Sequence, residues 1–68
     1  MASISVRFRK SFDADGDTIV HCIATHPKLK TPVKTSVRLG PKPSAGEIRS
    51  AERNAARIAK DTGWREME

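Results

Sequence analysis

The stretch from Ile4 to Phe12 alternates so regularly that few folds can accommodate it. The even positions read Ile4, Val6, Phe8, Lys10 and Phe12, and the odd ones Ser5, Arg7, Arg9 and Ser11. Successive side chains of a strand point to opposite faces, so this is the pattern of a strand with one face in a core and one in water. Asp15-Gly16 follows, a pair that tolerates the positive φ values of a tight two-residue turn. A turn closed there pairs Phe12 with Ile19, Phe8 with Ile23 and Val6 with Thr25, bringing the large apolar side chains together. The same register sets Arg7 beside Ala24 and Arg9 beside Cys22. Two cations then flank a smooth strip of Val20, Cys22 and Ala24 on the outer face.

Downstream, His26 to Pro32 carries two prolines, which do not suit a central ladder, and exposes Lys28 and Lys30 on a short connection. Val33 to Leu39 alternates again, with Val33, Thr35, Val37 and Leu39 facing one way and Lys34, Ser36 and Arg38 the other. Gly40-Pro41-Lys42-Pro43 ends the extended run. Ser44 and Glu47 then have the spacing of a capping box, which starts a helix. On that helix Ile48, Ala51, Ala55, Ile58, Ala59 and Thr62 gather on one side and Arg49, Arg53, Arg57 and Lys60 nearly opposite. Gly63 is placed to end it, with Trp64 folding back and Arg65 to Glu68 as a polar tail. The expected architecture is α+β: a three-stranded antiparallel sheet (strands about 4–12, 18–26 and 33–39) with one C-terminal helix (about 45–62) on one face, in a single small domain.

Sixty-eight residues supply only a small core. Its expected large members are Ile4, Val6, Phe8, Phe12, Ile19, Ile23, Val33, Val37, Leu39, Ile48, Ile58 and Trp64. Thirteen Lys and Arg against eight Asp and Glu give a net charge of +5, which favours an anionic partner. The lone cysteine rules out an internal disulfide and suits a reducing, cytoplasmic setting. No apolar run approaches the roughly 18 residues a membrane span needs, and no secretory signal is expected.

The outer strands aim Arg7, Arg9, Lys34 and Arg38 at the side the helix leaves bare, joined by the hydroxyls of Ser5, Ser11 and Ser36. No carboxylate is expected on that face. Guanidinium groups reach guanine edges or phosphates, and hydroxyls bond phosphate oxygens, so the face suits nucleic acid, with Lys28 and Lys30 as backbone clamps. Arg49, Arg53, Arg57 and Lys60 form a second basic stripe whose i,i+4 like charges cost about 0.2 to 0.5 kcal/mol per pair. Asp13 to Asp17 lacks the glycine and glutamate positions of a calcium loop, and His21, Cys22 and His26 lack a fourth zinc ligand, so no metal or other cofactor is expected. Nor do the residues form a nucleophile, base and orienter set, so no catalysis is expected.

The order strand, strand, strand, helix, with these strand cations, Leu39-Gly40 ending strand three and Ala51, Ala55 and Ala59 on the helix, resembles the amino-terminal arm-binding domains of tyrosine recombinases and the plant AP2-type DNA-binding domain. The resemblance covers residues 4 to 62 in topology. It implies a sheet laid into a DNA major groove and an origin in a phage or mobile element. The AP2 pattern's tryptophans and aromatic second strand are absent, and no recombinase catalytic domain follows. The double-stranded RNA-binding domain shares the closing strand, strand, strand, helix order, but its usual first helix is missing. The expected role is a small DNA-binding protein, DNA being favoured over RNA. The competing expectation is an interaction module, such as a phage-type inhibitor or regulator, docked on an acidic protein. A homodimer joined by an edge strand is a third.

Overall fold

A computed structural model describes residues 3–67. The strands β1 (Ser5–Phe12), β2 (Thr18–Thr25) and β3 (Val33–Arg38) form one antiparallel sheet in the order β1-β2-β3, followed by a single helix, α1 (Ala45–Glu66). The α+β architecture is therefore as the sequence predicts. No helix among the described residues is long and apolar enough to cross a membrane.

The hairpin turn differs from expectation, and the difference propagates through the sheet. Phe12 pairs with Thr18, Phe8 with Cys22 and Val6 with Ala24, one residue away from the predicted register. The cause is loop length. The Gly16 amide donates to the Asp13 carbonyl at 3.1 Å, the Asp13 amide donates to the Asp17 carbonyl at 3.1 Å, and within the turn it is Gly16 that takes a positive φ, of 84°. Ala14, Asp15 and Gly16 thus form a three-residue loop closed by a left-handed glycine rather than a two-residue turn. The Asp13 carboxylate selects it by accepting the amides of Asp15 (3.0 Å) and Asp17 (2.9 Å). Gly16→Ala meets no neighbour within 4 Å, so its cost is backbone strain alone. We expect about 1 to 2 kcal/mol lost in urea unfolding; an unchanged midpoint would refute the strained turn.

Because the side-chain period is two, one residue of slip reverses the faces of β2. Val20, Cys22 and Ala24 are wholly buried under α1, whereas Ile19, His21 and Ile23 lie half-buried on the open side. The predicted smooth outer strip is therefore core. The core consists of Val20, Cys22, Ala24 and Val33 from the sheet and Ile4 just before β1, with Ala51, Ala55 and Ala59 of the helix. Phe8 (43% exposed), Phe12 (72%), Ile58 (50%) and Trp64 (47%) stay largely outside it, against expectation. The reason is placement. α1 lies across β2 and β3, which leaves Phe8 and Phe12 of β1 uncovered, and it turns Ala51, Ala55, Ala59 and Gly63 inward, which leaves Ile58 and Trp64 outside.

The capping box forms as predicted. The Glu47 amide donates to the Ser44 hydroxyl at 3.2 Å, and the Ser44 amide donates to the Glu47 carboxylate at 3.3 Å, an arrangement worth about 1 kcal/mol. At the other end the helix runs through Gly63 to Glu66, so Trp64, Arg65 and Glu66 are helical rather than a fold-back and tail. Gly63 does not terminate the helix because its service is close approach: a Cβ there would stand 3.0 Å from Ile4 Cδ1 and 3.6 Å from Leu29 Cδ1. Met67 then packs on the core, and Glu68 lies outside the described residues.

Candidate functional site

The site is the sheet face opposite α1. The helix packs across β2 and β3 from one side, and strand alternation sends the intervening residues to the other. Cross-strand pairing arranges them in three rows: Arg7, Ile23 and Lys34; Arg9, His21 and Ser36; Ser11, Ile19 and Arg38. Arg7, Arg9, Lys34 and Arg38 are all exposed there. They flank two half-buried isoleucines and a histidine, in place of the Val20, Cys22 and Ala24 that the sequence suggested. His21 pairs with Arg9, and its Nε2 lies 2.7 Å from the Ser11 hydroxyl, which ties that hydroxyl to the protein.

Arg38 has a different standing from the other three cations. Its guanidinium contacts the carboxylates of Asp13, Asp17 at 3.2 Å and Asp15 at 3.7 Å, all from the β1–β2 turn. The expectation of a face without carboxylates fails here, because the turn bends its acidic residues back over the third row. The pairs are exposed and worth only about 0 to 1 kcal/mol each, but three anions around one cation leave that corner net negative. Arg7, Arg9 and Lys34 have no ion pair among the described residues. The face is therefore polarised, with its free cations lying toward the β2–β3 connection and its carboxylates at the opposite end. Ser11 stands four residues along β1 from Arg7, about 13 Å away.

The β2–β3 connection adds charge at the cationic end. The Leu29 amide donates to the His26 carbonyl at 2.9 Å, and the Lys28 amide to His26 Nδ1 at 3.0 Å. This turn tucks Leu29 against the core and leaves Lys28 and Lys30 exposed on either side of it. The His26 ring also meets Trp64, with centroids 5.9 Å apart, and so pins the connection to the helix. Arg49, Arg53, Arg57 and Lys60 are exposed on α1 and belong to a separate surface, on the far side of the sheet from Arg7 and Arg9.

No set of three or more His, Cys, Asp or Glu side chains among the described residues is arranged to hold a metal ion. Cys22 is buried beneath the helix, and burial pushes its thiol above the ordinary range, opposed by the Thr35 hydroxyl and the charge of Lys60. Below the ordinary thiol pKa of about 8.5 the folded and unfolded chains both keep the proton. Above it the unfolded chain releases the proton and the folded one retains it, so stability falls as pH rises from there. Cys22→Ala should remove this alkaline loss, as read by urea midpoints across pH, and native Cys22 should resist thiol reagents until the chain unfolds. Fast labelling of the folded protein would refute the burial.

No family model matches the chain, and neither a curated protein nor a solved structure matches it.

Proposed function

We infer that the open sheet face binds nucleic acid, with duplex DNA favoured over RNA. The observation that carries this reading is the convergence of Arg7, Arg9 and Lys34 on a face that α1 leaves bare, with Ile23 between two of them. Outer strands of a three-stranded sheet lie about 10 Å apart, comparable to the roughly 12 Å width of a B-form major groove. The deep, narrow major groove of A-form RNA does not admit such a surface. Arginines on one rim suit phosphates or guanine edges, and Ile19 and Ile23 suit thymine methyls. Lys28 and Lys30 extend the contact to the backbone at the cationic end. The carboxylates around Arg38 repel phosphate at the other end and so fix one orientation of the duplex. The topological resemblance to recombinase arm-binding and AP2-type domains supports the same use of a sheet. A cytoplasmic location goes with this role and suits a free thiol at Cys22.

Gel shift across a salt series tests the reading. Affinity should fall steeply with salt, with a slope of about −0.9 for each phosphate neutralised. A flat response, or binding of duplex RNA as tight as that of DNA, would overturn it.

A further inference from the structure

The underside of β1 has a use that the sheet face does not explain. β1 pairs only with β2, so its other edge carries unpaired backbone donors and acceptors. Since α1 lies across β2 and β3, it leaves Phe8 and Phe12 open on the helix side of that edge strand, 43% and 72% exposed. Beside Phe12 is a cleft with an apolar floor of Ile48, Pro41 and Pro43 and with Lys10 and Lys42 among its lining residues. The same strand carries Arg7 and Arg9 on its upper side. Among the described residues none of these four cations has an ion pair, and the turn carboxylates are engaged with Arg38.

We propose that the β1 edge is a docking site for an extended acidic segment of a partner protein, in which carboxylates alternate with apolar side chains. The segment adds to the sheet as a fourth strand. Its main chain bonds the free edge, its apolar residues cover Phe8 and Phe12 with one entering the cleft beside Ile48, and its carboxylates, on the other face of the strand, meet Arg7 and Arg9. The charges select this occupant over a second copy of the chain. Two copies of β1 joined antiparallel in a continuous sheet set Arg7 against Arg9 when centred on Phe8, Arg9 against itself when centred on Arg9, and Lys10 against itself when centred on Lys10. Directly opposed like charges destabilise a strand pair. The cations that deter self-pairing at this edge are those that attract an acidic strand. The site shares Arg7 and Arg9 with the sheet face, but its apolar half is independent of nucleic-acid binding.

Titrating isotope-labelled protein with a peptide of alternating glutamate and valine tests the proposal, with an alternating lysine and valine peptide and a block peptide of the acidic composition as controls. The acidic alternating peptide should bind, shift the amides of β1 and of residues 41 to 48, and slow hydrogen exchange along β1. Phe8→Ser with Phe12→Ser should weaken that binding about tenfold or more, the loss expected for uncovering buried aromatic area, while leaving duplex affinity unchanged. Lys34→Glu should do the reverse, so failure at the edge and failure at the sheet face are distinguishable. The proposal falls if the acidic peptide does not bind, if the block or basic peptide binds equally, if the shifts centre on Lys34 and Ser36, or if the protein alone dimerises through β1.

Discussion

Reversing Arg7, Arg9 and Lys34 to glutamate together should reduce affinity for duplex DNA by about 100-fold or more at low salt, since three contacts worth at least about 1 kcal/mol each are lost. The three side chains are exposed and unpaired among the described residues, so the fold has no stake in their charge. Thermal midpoint and circular dichroism should therefore match the parent protein. The alanine version should flatten the salt dependence by about 2.7 in log–log slope, at 0.9 per phosphate released. The counterpart on the helix discriminates between surfaces. Arg49, Arg53 and Arg57 reversed to glutamate should leave affinity within about threefold, because only long-range charge changes there. Equal losses from the two triples would mean that net charge alone attracts the duplex. A loss confined to the helix triple would move the interface to α1.

The largest expected effect on stability comes from Ala55→Leu. Ala55 is wholly buried on the sheet side of α1, and its carbonyl accepts the Thr35 hydroxyl at 2.9 Å. Three extra carbons have no space between Ala55 and the wholly buried Cys22 and Ala24, both in the same core cluster. Overpacking of this kind costs about 1 to 3 kcal/mol, and strain on the Thr35 hydrogen bond puts Ala55→Leu at the upper end. A chain of this size has about 3 to 10 kcal/mol in all, so the urea midpoint should drop by a large fraction. Arg53→Leu, at an exposed position of the same helix, should leave it nearly unchanged. Equal midpoints for the two variants would show that helix and sheet are not closely apposed.

The candidate face was legible in part. Arg7, Arg9 and Lys34 share it because β1 and β3 each alternate about their own axes, and that alternation is written in the sequence. The contents of the central strand were not. A two-residue turn at Asp15-Gly16 put Ile19 and Ile23 on the core side, but the turn holds three residues, which sends them to the open face. Asp13 was the available signal, since an aspartate before Ala-Asp-Gly can cap a three-residue loop with its own carboxylate. The engagement of Arg38 by the turn was equally hidden, because it joins residues 21 to 25 positions apart that meet only once the sheet has formed.

Local pattern fixed the elements themselves: two alternating segments with a strand turned back against the first, their breaks at glycine and proline, and a helix begun by Ser44 and Glu47. These are short-range consequences of backbone geometry and capping, so they need no knowledge of what packs where. Tertiary structure decided which face of β2 is covered, why Gly63 continues the helix instead of ending it, and why Phe8 and Phe12 remain outside. Those outcomes depend on where the helix is set down. Ala51, Ala55 and Ala59 are buried with Val20, Cys22 and Ala24, Gly63 lies against Ile4, Leu29 and Val33, and α1 crosses β2 and β3, so the helix side of β1 stays open however hydrophobic Phe8 and Phe12 are.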